Sequence, residues 1–455
     1  MKPTETTGES PASPAAWPDA GSLHGKHYAL CLLFFLLALV AYLHRLIINV
    51  LIEPLSADLA LTDSLSSLLQ GMPFAVLYGL AVIPLGLLAD RINRMRLLSA
   101  SVLLWCLGMA AAGFAPGFRT LFAASMLVGL GQAALLPCVV SLVGDSFPAD
   151  RRGIAMGIFL TGVTAGYSVA YAAGGLLLDA ASGGAFADWP GIGGAAPWRQ
   201  VFVIAALPGL LLLIPLTLQR EPPREERVLS EGLLRPLQAL FNARPFAPLF
   251  ILVLVHVALL AMADFGLYSW IPRLLSRAYG LAASDFGFTV GLVVAAGGVA
   301  GGLLGGWVTD LAIERWQASG AALVMLLGVL LAAFSGALFA VESLAVSYLA
   351  LCFWNIAITA NSTATYSYIA IAAHHNCQGI ASSLVIAVNV FVGLGSGPLA
   401  IALALEHLLR SPDRVGAAMA VVSLPLALIA ALAVGRVWLR ESGSARTGTT
   451  MHDRG

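Results

Sequence analysis

Apolar residues dominate this chain in long runs that short polar segments separate. A helix that crosses a membrane needs about 20 predominantly apolar residues, and twelve runs reach that length. Helices suit this setting because they satisfy their backbone hydrogen bonds internally. The pattern therefore predicts an all-α membrane protein with twelve spans. These spans are approximately 28–52, 64–88, 95–115, 118–145, 152–180, 199–218, 247–275, 285–309, 318–340, 344–371, 379–407 and 415–438.

Composition supports this prediction and narrows the function. The chain has 455 residues, of which 59% are hydrophobic and only 11% are charged, a balance that excludes a soluble globular protein. Its formal net charge is zero, so we expect no nucleic-acid partner. The five cysteines show no paired spacing, so we expect no disulfide bond, no metal site and no cofactor. They are Cys31, Cys106, Cys138, Cys352 and Cys377.

The order of apolar and polar segments predicts five domains. Residues 27–219 form an N-terminal six-helix half and residues 246–438 a C-terminal six-helix half. Residues 220–245, rich in charge, form a cytoplasmic linker between them. Residues 1–26 form a disordered cytoplasmic tail, since they are rich in Pro, Ser, Gly and Thr, and residues 439–455 form a second cytoplasmic tail.

The arginines are distributed unevenly between the two sides of this topology. Short cytoplasmic loops collect Arg and Lys, so we expect both termini in the cytoplasm of a cell with the protein in its inner or plasma membrane. One side carries Arg91, Arg94, Arg96, Arg151, Arg152, Arg220, Arg224, Arg227, Arg235, Arg244, Arg315, Arg436, Arg440, Arg446 and Arg454. The other side carries Arg119, Arg199, Arg273, Arg277, Arg410 and Arg414.

One charged turn, Gly86 to Arg96, carries the most specific motif. It reads G-L-L-A-D-R-I-N-R-M-R between the second and third spans, and a degenerate copy, Gly305 to Asp310, falls in the other half. The alternative interpretation is a generic basic loop that only fixes the orientation of the protein in the membrane. The ordered spacing resembles the signature loop of the major facilitator superfamily. That resemblance implies two pseudo-symmetric six-helix halves and transport by alternating access.

The same resemblance implies a conformational latch. In the superfamily the loop aspartate meets the start of helix eleven, and an arginine pairs with an acid at the end of helix four. Asp90, Arg91, Arg94 and Asp145 match those positions here, and Asp310 is the equivalent of Asp90 in the second half. An anion is stabilised at a helix N-terminus, so such a latch is physically sensible.

Three further segments are similar to the spinster-like branch of that superfamily, whose distant relatives move lysophospholipids and sphingoid phosphates. They are Tyr42 to Arg45, Gly129 to Gln132 and Ser269 to Pro272. Two positions depart from the branch. His44 stands where an aspartate is usual, and Gln132 stands where a glutamate is usual, so the proton route implied by the branch is in doubt.

Arg45 is the only one of the 24 Lys and Arg residues that falls well inside a predicted span. A charge there costs about 3 kcal/mol on insertion scales, so it marks a cavity, a partner or a function. Three interpretations stay open. Arg45 binds an anionic group of a substrate, or it pairs with Asp264 or Glu53 as a structural bridge, or it reaches the membrane surface.

Three titratable residues are candidates for proton coupling. Asp264 lies about as deep in the seventh span as Arg45 does in the first, and a desolvated carboxylate can alternate between neutral and charged forms. His44 and His256 are further candidates because histidine titrates near neutral pH. For each histidine, a hydrogen-bonded packing role is the alternative.

Taken together, these patterns predict a secondary transporter that moves a small or amphiphilic organic anion, coupled to protons or working by exchange. We expect a monomer surrounded by membrane lipid and no enzyme activity. A lysolipid carrier is the alternative substrate class, and a non-transporting membrane sensor is the alternative of another class. The predicted substrate contacts are Arg45, Gln132, Tyr78, Tyr268, Trp270, Tyr366 and Asn389.

Overall fold

The computed structural model describes residues 25–148, 151–223, 238, 240–242, 246–373 and 377–446, and most of the predicted tails and linker lie outside them. These residues contain twelve helices long and apolar enough to span a membrane, one for each predicted run. We number them α1 Gly25–Asp58, α2 Asp63–Ala89, α3 Arg94–Gly113, α4 Phe118–Ser146, α5 Arg152–Ser182, α6 Pro197–Leu218, α7 Phe246–Tyr279, α8 Ala283–Trp316, α9 Ala318–Leu338, α10 Leu344–Ala372, α11 Gln378–Leu409 and α12 Val415–Arg446.

Several helices are longer than the apolar runs that predicted them. The run length follows the thickness of the hydrocarbon core, whereas a helix continues until a residue breaks it. Helix α8 therefore continues through Asp310 and ends at Trp316, before Gln317 adopts a left-handed φ of 51°. The prediction that Asp310 lies in a loop equivalent to that of Asp90 is wrong, because no breaker follows it.

Close helix packing depends on small residues, as membrane helices require. Gly166 of α5 lies against α1, where an added Cβ would approach the Leu39 carbonyl oxygen to 2.7 Å. The halves, α1–α6 and α7–α12, meet in the same way. An added Cβ on Gly291 of α8 would lie 2.6 Å from the Ser168 carbonyl oxygen of α5.

Ion pairs join the two halves on the side that carries fewer arginines, called here the arginine-poor side. Arg273 and Arg277 of α7 reach Glu53 of α1, with N to O distances of 3.1 and 3.0 Å. Arg277 also pairs with Asp63 of α2 at 2.7 Å. We call these four residues the ion-pair seal. Ser64 of α2 adds a hydrogen bond to Glu406 of α11 at the same end.

Arg273 is fully buried in this seal, although the sequence placed it at a helix end. The end of α7 packs against α1 and α2, so water does not reach the guanidinium. Its nitrogens donate instead to Glu53, to Ser67 at 3.2 Å, to Gln70 at 2.9 Å and to Ser66 at 2.5 Å. A buried charge that is paired and hydrogen-bonded in this way is tolerated.

The halves separate toward the opposite, arginine-rich side. Contact between α5 and α8 continues as far as Gly298, where an added Cβ would lie 3.5 Å from Thr164. Beyond that level, Gly153 and Gly157 of α5 and Gly306 of α8 have no atom within 4 Å of an added Cβ. The structure is therefore closed on the arginine-poor side and open on the arginine-rich side.

A second buried guanidinium organises the arginine-rich side of the first half. Arg94, at the start of α3, is 1% exposed and pairs with Asp145 at the end of α4. It also contacts Ser141 at 2.8 Å and Glu221, which follows α6, at 2.7 Å. Glu221 accepts a further bond from the Met95 N–H, as expected for an anion at a helix N-terminus. Glu221 is an acid that the sequence did not predict here.

We expect Gly166→Ala to destabilise the protein by about 1–3 kcal/mol, since the added methyl group overpacks the contact with α1. Gly157→Ala on the same helix is the matched control, because open space surrounds Gly157. Thermal unfolding of the two purified variants compares them. Equal melting temperatures would contradict the packing of α5 against α1.

We expect Arg94→Met to destabilise the protein by about 3–5 kcal/mol, because it removes a fully buried guanidinium that pairs with both Asp145 and Glu221. Arg96→Met controls for loss of a positive charge at an exposed neighbouring position. Thermal unfolding is again the measurement. A variant at Arg94 as stable as the one at Arg96 would show that this cluster contributes little.

Candidate substrate-binding site

The Arg45 side chain of α1 is held inside the first half by α4. Its Nη2 donates to Gln132 Oε1 at 3.1 Å. The Gln132 amide nitrogen donates in turn to the Ala41 carbonyl oxygen at 2.8 Å. Because that bond uses the amide nitrogen, Gln132 presents its oxygen to Arg45. A neutral amide thus serves where the spinster-like branch usually has a carboxylate.

Aromatic rings surround the rest of the guanidinium. Its carbon lies 4.4 Å from the centroid of the Tyr42 ring, 4.3 Å from that of Phe74 and 5.4 Å from that of Tyr78. Phe74 and Tyr78 of α2 stack on each other. Ring faces attract a cation, so this arrangement stabilises the positive charge of Arg45 while leaving its anion-binding capacity in place.

No carboxylate of the described residues pairs with Arg45. Glu53 belongs to the ion-pair seal, and Asp264 accepts a hydrogen bond from Trp354 Nε1 at 2.7 Å. The structural-bridge interpretation is therefore wrong. The side chain packs against α2 and α4, so the interpretation that it reaches the membrane surface is also wrong.

Arg45 keeps hydrogen-bonding capacity. Its Nε is buried and has no partner within the described residues. The side chain as a whole is only partly buried, and the Tyr78 hydroxyl interacts with the guanidinium. The guanidinium thus keeps an unpartnered donor, Nε, beside its bond to Gln132. An anion that reaches it would meet an unneutralised charge.

A cavity opens in the second half between α7, α10 and α11. Asp264 lines it, together with Tyr366 and Asn389, which the sequence predicted as substrate contacts. Asn389 begins a π-helical stretch, Asn389–Leu394, in α11. Such stretches occur frequently at functional sites. The remaining lining residues are Val257, Leu260, Ala261, Ile358, Asn361, Ser362, Thr365 and Val385.

Tyrosine rings connect the Arg45 environment with α7 of the second half. The ring of Tyr42 lies 5.4 Å from that of Tyr167 in α5, which lies 5.3 Å from that of Tyr268. We call these three residues the tyrosine bridge. Tyr268 also donates to Asn355 of α10, which fixes its hydroxyl group. Tyr167 was not predicted, since an aromatic residue in a glycine-rich span carries no distinguishing signal.

The two histidines occupy different environments. His44 is buried, with Nε2 2.5 Å from the Ala205 carbonyl oxygen of α6. His256 is also buried, with Nε2 2.9 Å from Asn361 Oδ1. Asn361 lines the cavity, so His256 is separated from the cavity by this one side chain. His44 packs between helices instead.

Trp270 lies outside this site. Its ring is fully buried, its Nε1 donates to the Pro398 carbonyl oxygen at 3.0 Å, and Arg273 lies 4.4 Å above it. It therefore supports the ion-pair seal, and we remove it from the predicted substrate contacts. Tyr78 and Gln132 contact Arg45, whereas Tyr268 belongs to the tyrosine bridge.

The predicted latch residues lie on the open, arginine-rich side. Asp90 caps the C-terminal end of α2 and is exposed, as are Arg91 in the following turn and Asp310 in α8. Near the start of α11, an added Cβ on Gly379 would have no atom within 4 Å. The latch contact between Asp90 and α11 therefore stays a prediction about the opposite, closed conformation.

Comparison with solved structures relates this architecture to known proteins. The chain aligns with a bacterial homolog of the human lysosomal transporter Spinster, solved in an inward-facing and unoccupied conformation, with a TM-score of 0.77 and 25% identity. The alignment covers 92% of this chain and 99% of the other.

Comparison with curated proteins places the chain among transporters. It is 24% identical over 300 residues to an MFS-type efflux pump of Mycolicibacterium smegmatis, covering 65% of this chain and 66% of the pump. It is 26% identical over 302 residues to a probable L-galactonate transporter of Escherichia coli, covering 63% and 62%. The chain thus spans just under two thirds of both relatives.

A family model also matches this chain. The model of the Major Facilitator Superfamily matches residues 33–398, most of the chain. The matched relatives are transporters, a class of carriers without enzyme activity. The chain belongs to the Major Facilitator Superfamily and is a multi-pass membrane transporter.

Proposed function

We propose that this protein moves a small organic anion by alternating access, with Arg45 as the site that binds the negative charge. The observation that carries the proposal is that Arg45 has no carboxylate partner among the described residues while its side chain stays partly exposed. A guanidinium binds carboxylate or phosphate groups with strong, directional hydrogen bonds. An arriving anion would complete a site that Gln132 and three aromatic rings have already shaped.

The separation of the halves supports a defined step of the transport cycle. We assign the arginine-rich side to the cytoplasm of the inner or plasma membrane, following the bias of short loops. The structure is then open to the cytoplasm and closed outside by the ion-pair seal. In the opposite conformation, the seal breaks and Asp90 approaches α11, so the two ends alternate.

Asp264 is our candidate for proton coupling. Trp354 holds its Oδ1, whereas Oδ2 has no hydrogen bond among the described residues and is open to the cavity. Among the described residues, no arginine, lysine or histidine lines the cavity to neutralise it. A carboxylate in such a place can take up and release a proton. His256, behind Asn361, extends this route, and exchange of two anions is the alternative mode.

A lysolipid carrier is the second candidate, supported by one observation. The ends of α5 and α8 diverge on the arginine-rich side, where Gly153, Gly157 and Gly306 face open space. An amphiphile could keep its acyl chain in lipid there while its charged group reaches Arg45. The likeness to a probable sphingolipid transporter of Arabidopsis thaliana, 25% identical over 138 residues, supports the same candidate.

We expect Arg45→Gln to weaken binding of the transported anion about 10-fold or more, because a charge-assisted hydrogen bond is worth about 1.5–3 kcal/mol. Arg45→Lys should restore part of that loss by keeping the charge. Arg119→Gln is the control, since Arg119 is exposed on the arginine-poor side. A thermal-shift screen of organic anions, lysolipids and cationic drugs provides the measurement. Stabilisation by cations that Arg45→Gln leaves unaltered would overturn the proposal.

We expect Asp264→Asn to remove the response of uptake to a pH gradient in proteoliposomes, because an amide takes up no proton. Exchange of internal for external anion should continue in this variant. Asp285→Asn, at the exposed start of α8, is the control. Gradient-driven uptake that persists unchanged in Asp264→Asn would exclude Asp264 from the coupling mechanism.

A further inference from the structure

The cavity of the second half contains polar groups without protein partners. Ser362 and Tyr366 of α10 and Asn389 of α11 line it, and their side chains form no hydrogen bond within the described structure. Asn361 differs, because His256 and a backbone carbonyl use its amide. Ser362 and Tyr366 are exposed, so three side chains that can donate and accept hydrogen bonds are available to a ligand in the cavity.

Asp264 adds an acceptor to the same cavity through its free Oδ2. A hydroxyl group on a ligand both donates and accepts, so it matches the combination of carboxylate, amide and hydroxyl groups. An acyl chain would desolvate these groups without replacing their hydrogen bonds to water, which costs binding free energy. The cavity thus favours a hydroxylated molecule over a lipid tail.

Tyr42 of the tyrosine bridge links this cavity with Arg45, because its ring lies 4.4 Å from the Arg45 guanidinium carbon and it interacts electrostatically with Tyr366, which lines the cavity. Tyr42 and Tyr167 are only partly buried, so their rings remain accessible between the two halves. Ring faces provide apolar contact area for the carbon skeleton of a ligand. The arrangement offers, in order, a cation in the first half, aromatic surface between the halves, and hydrogen-bonding groups in the second half.

We propose that the transported anion is hydroxylated, with its negative group at Arg45 and its hydroxyl-bearing end in the cavity formed by Asp264, Ser362, Tyr366 and Asn389. This inference rests on the proposed function and specifies its substrate class. Such a ligand contacts both halves at once. Its binding therefore stabilises a conformation in which the halves approach each other, which an anion bound to Arg45 alone does not do.

Paired probes test the inference on the purified full-length protein. We would measure the affinities of D-gluconate against hexanoate and of L-tartrate against succinate, since each pair shares its charge and carbon count and differs in hydroxyl groups. We expect at least one hydroxylated member to bind about 10-fold tighter than its partner. A lysophosphatidate of long acyl chain is the lipid probe.

Two variants assign any preference to the cavity. Tyr366→Phe and Ser362→Ala each remove one hydroxyl group. Each variant should therefore lower the affinity for the hydroxylated anion about 3- to 10-fold and leave the affinity for the matched anion without hydroxyl groups unaltered. Tyr348→Phe, on the same helix away from the cavity, is the matched control. Arg45→Gln should weaken binding of both anions of a pair. Thermal unfolding without ligand confirms that each variant is folded.

The outcomes separate this inference from the proposed function. Equal affinities within both pairs, lowered together by Arg45→Gln, would overturn the inference that the substrate is hydroxylated. They would still support Arg45 as the anion-binding site. Tight binding of lysophosphatidate alone, unaffected by Tyr366→Phe, would overturn it in favour of the lipid carrier. A hydroxyl preference that Tyr366→Phe and Ser362→Ala both leave intact would also overturn it. Affinities that Arg45→Gln leaves unaltered would instead refute the proposed function.

Discussion

A guanidinium held in an apolar interior without a carboxylate is the interaction on which the rest of this account depends. Aromatic faces and one amide oxygen stabilise the charge of Arg45, and they do so without neutralising it. In a low dielectric, an unneutralised charge attracts an anion far more strongly than it would in water. The binding site, the choice of substrate and the response to binding all follow from that residual attraction.

The contrast with Arg273 shows why burial alone does not define a binding site. Both arginines lie in membrane-spanning helices, but Arg273 donates to a carboxylate and to three neutral side chains. Its hydrogen-bonding capacity is spent within the protein, so it joins the halves. Arg45 keeps an unpartnered Nε and is only partly buried. The same residue type therefore has two roles: Arg273 closes one end of the molecule, whereas Arg45 is available to bind a ligand.

Periodicity and run length predicted the twelve spans because lipid imposes a minimum helix length, and the resemblance to the major facilitator superfamily predicted the pairing of Arg94 with Asp145 at the end of α4. Contacts between distant segments were not predictable in this way. Glu221 joins Arg94 from a charged segment without a motif, and Tyr167 joins two halves from a glycine-rich helix. The burial of Arg273 depends on how α7 packs, which its own sequence does not specify.

The distance between the open ends of α5 and α8 tests the central claim most directly. Nitroxide labels on Gly157→Cys and Gly306→Cys, positions with free space around them, report that distance by double electron–electron resonance. The account predicts that a hydroxylated organic anion shortens it and that Arg45→Gln abolishes the shortening. Shortening of the same size in Arg45→Gln would contradict the claim that Arg45 binds the transported charge.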